Sequence, residues 1–248
     1  MEALAYWRDL GVRELAVARP GTASPAASAV PAAPALHTAH AAPPAPPAAE
    51  SPAAASPPAS LEELRERVAS CTLCSLAETR RQTVFCDGSP SARIFFVGEA
   101  PGADEDAQGV PFVGRAGQLL TKMIEGGMGL SRGDVYIANI LKCRPPGNRN
   151  PLPPEIAACQ PYLVRQIEAV RPEALVALGN FAAQFLLETE EGIMRIHGKW
   201  GSWRGIPVMP TFHPSFLLRQ PDRKKDAWAD LLAVLDRLGI ARPRAAFR

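Results

Sequence analysis

Short runs of apolar residues alternate with helical patterns of apolar and polar residues from residue 61 onward. Residues 94–97 (IFFV) are four consecutive apolar β-formers followed by Gly98. Such a run is typical of a strand buried on both faces. Similar runs predict three more strands, at residues 135–140, at residues 174–178 and through Val208, the last preceded by a hairpin within residues 194–210.

Helical patterns fill the intervals between these strands. Ser60 followed by Glu62 and Glu63 is typical of a helix start. Further helices are predicted to open within residues 114–117 and run through Ile124, over residues 154–170, after Asn180 and over residues 226–238. Because strands alternate with helices, the pattern predicts an α/β fold whose parallel sheet is covered on both faces.

The first 60 residues have a different character. Residues 1–19 predict a short amphipathic helix, which either packs back on the domain or docks a protein partner. Residues 20–60 are almost entirely Ala, Pro and Ser with Glu50 as the only formal charge, and they predict a disordered linker. We therefore expect one folded domain at residues 61–240 and a C-terminal tail at residues 241–248.

Composition narrows the functional classes. The chain has 248 residues and a net charge of only +2, so any nucleic-acid surface must be a local basic patch. The N-terminus has acidic residues where a signal peptide is basic, and the apolar runs are too short to span a membrane. A cytoplasmic, monomeric protein is expected, with no membrane association.

Four of the five cysteines have a spacing that indicates a metal centre. Cys71 and Cys74 form a CxxC pair at the end of the first helix, Cys143 follows the second strand, and Cys159 lies on the next helix. Four thiolates so placed can converge on zinc or on an iron–sulfur cluster, and the spacing does not separate the two. The alternative is a set of unrelated buried cysteines, as we expect for Cys86.

Polar side chains follow three of the predicted strands. Glu99 comes directly after the first strand, Asn139 lies at the end of the second and His213 follows the fourth. In a parallel sheet these positions meet at one edge, where the sites of α/β proteins lie. Alternatively, the loop after Gly98 is a solvated acidic loop, Asn139 caps a loop and His213 is a core residue. The loop that begins at Gly98 has the sequence GEAPG, which lacks the spacing of a phosphate-binding loop.

Several motifs in a fixed order make the resemblance specific. They are GEAPGADED, PFVGRAGQLL, NILKCRPPGNRNP and HPSFLLR. With the four cysteines, they resemble the family 4 uracil-DNA glycosylases, the iron–sulfur members of that superfamily, over about residues 61–239. The resemblance implies a three-layer α/β/α fold with a central four-stranded parallel sheet. It also implies a [4Fe-4S] cluster on Cys71, Cys74, Cys143 and Cys159.

The same resemblance implies a monofunctional glycosylase that flips uracil out of DNA and hydrolyses its N-glycosidic bond, which starts base-excision repair. Phe112 matches the aromatic residue that stacks on the base, and Asn139 matches the amide that reads uracil O4 and N3–H. Gly98, Glu99 and Ala100 would line the pocket. Glu105 matches a position near C5 of uracil that disfavours thymine, with Asp104 and Asp106 as alternatives.

The catalytic roles follow from the charges that develop as the bond breaks. His213 matches the residue that donates to uracil O2 and stabilises the departing anion. Glu99 would orient water or stabilise the cationic sugar. Contacts to DNA are expected from the following residues, among which the leucines either wedge into the stack or seed the last helix: Lys142, Arg144, Arg149, Leu217, Leu218 and Arg219.

Three other functions remain to be weighed. A neighbouring family becomes trapped on uracil-DNA through a histidine in an insertion after the second strand, but residues 143–153 have neither the insertion nor a histidine. A non-catalytic, metal-bearing nucleic-acid-binding module would need the same basic residues. An electron carrier would need the four cysteines but neither Asn139 nor His213 at the sheet edge.

Overall fold

A six-stranded sheet forms the centre of the domain. The computed structural model describes residues 60–243, so the predicted N-terminal helix, all but the last residue of the linker and the last five residues of the tail lie outside the described part. The strands are β1 (Asp87–Gly88), β2 (Ile94–Gly98), β3 (Tyr136–Asn139), β4 (Ala174–Leu178), β5 (Gly201–Trp203) and β6 (Ile206–Thr211).

Helices connect these strands. They are α1 (Leu61–Ala69), α2 (Leu76–Thr79), α3 (Ala103–Gln108), α4 (Arg115–Lys122), α5 (Pro153–Val170), α6 (Asn180–Leu187), α7 (Ile193–Ile196), α8 (Pro214–Arg219) and α9 (Lys224–Arg237). A π-helical segment, Met123–Met128, continues α4, and 3₁₀ turns occupy Arg132–Asp134, Pro146–Asn148 and Pro221–Arg223.

The four predicted strands are present and pair in parallel. The sheet order is β1-β3-β2-β4-β6-β5, and the inner strands β3, β2, β4 and β6 are parallel. Gly98 lies opposite Asn139, and Leu178 lies opposite Thr211. The inner strands therefore end level with each other, and the residues that follow them meet at one edge of the sheet.

The predicted number of four strands was too small by two. β1 pairs antiparallel with β3, and β5 pairs antiparallel with β6. β1 has only two residues, too few for any pattern to reveal. β5 is the first strand of the predicted hairpin, whose turn uses Arg204 at φ 47° and Gly205 at φ 85°.

Both faces of the sheet are covered, which gives the predicted three layers. On β2, Ile94 and Phe96 pack into one apolar cluster with the α4 and α9 side chains Leu120 and Leu231. The alternate residues Phe95 and Val97 pack into a second cluster with α5 and α6, through side chains such as Leu163, Ile167 and Ala182. Each of the fully buried Val, Leu, Ile and Phe side chains among them stabilises the fold by about 1.5–3 kcal/mol.

Helix α1 begins where the sequence predicts. The Ser60 side chain accepts a hydrogen bond of 3.2 Å from the Glu63 backbone amide, which satisfies one of the free N–H groups of the first turn. Leu64 and Val68 are buried against Phe85. This packing fixes α1 on the rest of the domain and so positions Cys71 and Cys74, which follow the helix.

Among the described residues, none of the helices is both long and apolar enough to cross a bilayer.

Candidate functional site

A cleft of about 590 Å³ opens at the carboxyl ends of the parallel strands. Its size is typical of a small-molecule site, and it lies where α/β sheets place their ligands. The cleft brings together most of the predicted pocket residues, and its walls include Glu99, Ala100, Glu105, Phe112, Asn139 and His213.

Asn139 lies at the bottom of this cleft against Gly98. The Asn139 residue is 1% exposed, and its Oδ1 atom has no hydrogen-bond partner among residues 60–243. A Cβ atom placed on Gly98 would lie 2.2 Å from Asn139 Oδ1 and 2.6 Å from Phe112 Cζ. Only glycine leaves room for both side chains. An unpaired buried amide oxygen in a cleft is available to a ligand donor.

Phe112 forms the adjacent wall. Its residue is 6% exposed, and its ring centroid lies 5.6 Å from that of His213, with the rings inclined by 36°. A Cβ atom on Gly117 would lie 1.9 Å from the Phe112 carbonyl. Because Gly117 has no side chain, the Phe112 backbone can pack directly on α4.

His213 is held as the N-cap of α8. Its Nδ1 accepts a hydrogen bond of 3.1 Å from the Ser215 backbone amide and lies 2.7 Å from Ser215 Oγ. Because an amide can only donate, Nδ1 is unprotonated and Nε2 carries the proton of the neutral ring. Burial lowers the pKa of His213 to about 4, and the nearby charge of Arg219 acts in the same direction. The imidazole is therefore neutral at pH 7.

Glu99 is the partly buried carboxylate of the cleft. Its backbone carbonyl accepts from the Leu141 amide at 3.0 Å, which fixes the residue after β2. No hydrogen bond to its carboxylate occurs within residues 60–243. Burial raises the pKa of Glu99 above its usual value. A desolvated carboxylate without a partner interacts strongly with any cation that forms beside it.

Glu105, the residue predicted near C5 of uracil, lines the cleft and also holds backbone amides. Its Oε2 accepts from the Gly102 amide at 3.0 Å, and its Oε1 accepts from the Val113 and Gly114 amides at 2.9 and 3.0 Å. Oε1 is thus engaged with the loop that carries Phe112, and Oε2 with the start of α3. Of the two alternatives, Asp104 lines the cleft, whereas Asp106 is 3% exposed and accepts from the Arg81 amide.

Lys142 was predicted to contact DNA, but the structure contradicts this because its side chain is buried. Its residue is 1% exposed, and its Nζ donates to the Asn139 carbonyl at 2.6 Å and to Gln166 Oε1 at 2.5 Å. A buried ammonium with two internal acceptors does not reach a phosphate. The residue instead supports the strand end that carries Asn139.

Of the other predicted DNA contacts, Arg149 and Arg219 line the cleft. Leu217 is fully buried, so it belongs to the core, as the alternative interpretation held, whereas Leu218 is 37% exposed. Arg219 is exposed and lines the cleft. On the opposite loop, Arg149 also lines the cleft and forms an ion pair of 2.6 Å with Glu155. Arg144 donates to Asn148 Oδ1 at 2.7 Å.

The four predicted cysteine ligands line a second, much smaller cleft. They reach it from four places in the fold: Cys71 after α1, Cys74 before α2, Cys143 after β3 and Cys159 within α5. The Lys142 amide donates to Cys159 Sγ at 3.2 Å, and Arg80 donates to Cys143 Sγ at 3.3 Å. Cys86 lies elsewhere, near Arg65.

This donor set suits a thiolate-ligated metal group. N–H donors to sulfur and an apolar surround, here Leu76 and Leu141, are the usual environment of iron–sulfur ligands. Burial raises the pKa of Cys143 and raises that of Cys159 to about 12. Thiolates at these positions therefore need a bound cation to stabilise them.

A comparison with known families agrees with this geometry. Residues 85–232 match the family model of the Uracil DNA glycosylase superfamily. The chain belongs to this superfamily. The match covers β2, β3, β4 and β6 and all the cleft residues described above.

Within the superfamily, the chain is similar to type-4 uracil-DNA glycosylases. It is 43% identical over 194 residues to one from Archaeoglobus fulgidus, which covers 74% of this chain and 96% of that protein. It is 48% identical over 161 residues to one from Thermotoga maritima, which covers 64% and 83%. A type-5 uracil-DNA glycosylase from Pyrobaculum aerophilum is 33% identical over 144 residues. The resemblance to family 4 is thereby confirmed.

Several residues around the cleft were missed by the sequence reasoning. Ser215 fixes the His213 tautomer, and Arg132 donates to the carbonyl before Phe112 at 2.7 Å. Asn180 and Arg115 also line the cleft. Asn180 follows the end of β4, so it could have been identified in the same way as Asn139, as a polar residue at the end of a parallel strand. Arg132 is distant in sequence from Phe112, so no local signal identifies it.

Proposed function

We propose that this member of the superfamily is a monofunctional uracil-DNA glycosylase, which flips uracil from DNA and hydrolyses its N-glycosidic bond to start base-excision repair. The observation that carries the proposal is the placement of three groups in one cleft: the buried Asn139 amide, the Phe112 ring and the neutral His213 imidazole. They supply a hydrogen-bond reader, a stacking wall and a donor for the departing base.

Asn139 selects uracil through both ends of its amide. Its Oδ1 accepts from uracil N3–H, and its Nδ2 donates to O4. Cytosine presents an amino group and an unprotonated N3, so both interactions with cytosine are repulsive. Because the Asn139 amide is buried against Gly98, the side chain has little freedom to rotate and accept cytosine.

His213 and Glu99 act on the two charges that form when the bond between sugar C1′ and uracil N1 breaks. The electron pair moves to the base, and the Nε2–H of neutral His213 donates to uracil O2, which carries much of the resulting negative charge. The Glu99 carboxylate stabilises the positive sugar and orients the water that adds to C1′. The added water loses one proton to solvent and the uracil anion takes up one proton from solvent, which completes hydrolysis.

A [4Fe-4S] cluster on Cys71, Cys74, Cys143 and Cys159 is part of the proposal. The four sulfurs line one cleft, two of them accept N–H hydrogen bonds, and the chain is similar to type-4 uracil-DNA glycosylases, all of which support a cluster at this position. It would join α1 to β3 and α5, so its contribution is to folding.

The DNA surface proposed here is the rim of the cleft. Arg219 and Arg144 would neutralise phosphates on its two sides, with Arg149 held by Glu155 between them. Leu218 would fill the space that the flipped nucleotide leaves. Residues 1–19 are proposed as a docking segment for a protein partner; they lie outside the described residues. We propose that the protein acts as a monomer.

The test measures release of free uracil from a uracil-containing oligonucleotide, followed by alkaline cleavage at the abasic site. Wild-type protein should release uracil, and His213→Ala should lose most of that activity while its visible absorbance and iron content stay unchanged. Iron content near four per chain is expected, and Cys159→Ser should reduce it. If cluster-loaded wild-type protein binds DNA without releasing uracil, it is a non-catalytic binding module instead.

A further inference from the structure

The backbone of Phe112 has an unfavourable conformation. Its φ angle is 54°, in the left-handed region that non-glycine residues seldom occupy. Such a residue keeps this conformation only where its surroundings fix it. The ring position depends on the backbone conformation, because the same residue places its carbonyl on Gly117 and its ring against Gly98.

Glu105 fixes the chain on the C-terminal side of Phe112. Its Oε1 accepts from the amides of the next two residues, Val113 and Gly114, at 2.9 and 3.0 Å. Its Oε2 accepts from the Gly102 amide. The carboxylate thus joins the start of α3 to the start of α4 across the Phe112 loop.

Arg132 fixes the chain on the N-terminal side. Its guanidinium makes three hydrogen bonds of 2.7 Å, to Asp87 Oδ2, Thr121 Oγ1 and the Pro111 carbonyl. The Arg132 side chain is 18% exposed. Because Asp87 and Thr121 hold two sides of the planar guanidinium, the third N–H is directed at Pro111.

We infer that Arg132 is a positioning residue for base recognition, which acts through Phe112. Arg132 and Glu105 hold the peptide groups on either side of Phe112 and so keep its ring at the wall of the cleft. The inference rests on the proposed function, since the ring position matters for catalysis only if the cleft binds a base. Lysine cannot replace the arginine, because one ammonium cannot hold Asp87, Thr121 and Pro111 in this geometry.

Arg93 offers a matched control. It also makes three hydrogen bonds, two to the Glu173 carboxylate at 2.7 and 2.8 Å and one to the Leu238 carbonyl at 2.8 Å. It precedes β2, so it lies at the opposite end of the sheet from the cleft. Arg132→Gln should reduce kcat/KM about 10–100-fold, the effect of a small misplacement of a substrate-positioning group. Arg93→Gln should change kcat/KM less than about twofold, as expected for an exposed pair.

A double-mutant cycle separates positioning from general destabilisation. If Arg132 acts through Phe112, Arg132→Gln should have less than about a threefold effect in a Phe112→Ala background, since coupled residues are not additive. An equal loss in both backgrounds would overturn the inference. Arg132→Lys is the second variant: it keeps a charge pair with Asp87, so its melting temperature should be no lower than that of Arg132→Gln, while kcat/KM still falls below the wild-type value.

Hydrogen exchange tests the same contacts without catalysis. The Val113 and Gly114 amides should exchange at least about tenfold faster in Arg132→Gln than in wild type or Arg93→Gln, as expected when a local structure opens more readily. Unchanged exchange at both amides would refute the bracing of Phe112. Faster exchange in Arg132→Gln, together with no uracil release by cluster-loaded wild-type protein, would support the bracing and refute the proposed function.

Discussion

Gly98 and Asn139 lie opposite each other at the ends of two parallel strands, and a Cβ on Gly98 would be 2.2 Å from Asn139 Oδ1. The absence of a side chain on one strand thus creates the space for the amide on the next. Phe112 uses the same space from a third direction. The first glycine of the GEAPG motif therefore contributes to base recognition because it has no Cβ, which leaves room for the Asn139 amide and the Phe112 ring.

Gly98→Ala should disrupt base recognition without unfolding the protein. The added methyl group would displace both the Asn139 amide and the Phe112 ring, and kcat/KM should fall about 100-fold, as for other misplacements of about 1 Å. Steady-state kinetics and thermal unfolding would measure the two effects. Gly192→Ala is the control, since its nearest atom would be 4.0 Å away. Full activity in Gly98→Ala would contradict the packing described here.

The sequence predicted the inner strands and the polar residues at their ends, but not the contacts between distant segments. The inner strands were predictable because β2, β3 and β4 are buried on both faces, so their sequences are continuously apolar. Glu99, Asn139 and His213 followed from the ends of those strands. The burial of Lys142 was not predictable, because it depends on Gln166 of a helix 24 residues away. Likewise, no local pattern links Arg132 to Pro111.

The acid–base state of His213 gives a pH prediction. Its lowered pKa of about 4 means that the ring stays neutral through the range in which an ordinary histidine, with a pKa near 6.5, titrates. The unfolded chain binds a proton between these two values, so His213 contributes stability above pH 6.5 that is lost as the pH falls towards 4. Imidazole ¹⁵N chemical shifts should show an Nε2-protonated ring with no titration from pH 6 to 8. An inflection near pH 6.5 assigned to His213 would disprove the neutral donor.

Glu99 should determine the acidic limb of the activity profile. Burial raises its pKa, and the carboxylate acts only when it is ionised. The value of kcat/KM should therefore fall with decreasing pH at a higher pH than an exposed glutamate would give. Glu99→Gln should have much lower activity, and that residual activity should lack this limb. A limb that persists in Glu99→Gln would assign it to another group.

Substitution of the adjacent residues Leu217 and Leu218 should affect different properties, stability for the first and activity on duplex DNA for the second. Leu218 is 37% exposed and precedes Arg219, which lines the cleft, so Leu218→Ala should reduce activity on duplex DNA about tenfold more than on single strands, which have no stack to fill. Leu217 is fully buried, so Leu217→Ala should lower the free energy of unfolding by about 2–5 kcal/mol. Kinetics on matched duplex and single-stranded substrates and chemical denaturation measure the two effects. Equal losses on both DNA forms for Leu218→Ala would argue against a wedge.

Salt dependence should distinguish Arg219 from Lys142. Arg219 is exposed at the cleft, so Arg219→Gln should reduce the slope of log K against log salt by about 1 if it contacts a phosphate. Lys142→Met should leave that slope unchanged, because the ammonium is enclosed by Asn139 and Gln166. It should instead lower the free energy of unfolding by about 1–3 kcal/mol for each buried acceptor left unpaired. Binding measured between 50 and 200 mM salt, with denaturation and iron content in parallel, would test both residues. A smaller slope in Lys142→Met at full iron content would return Lys142 to the DNA surface.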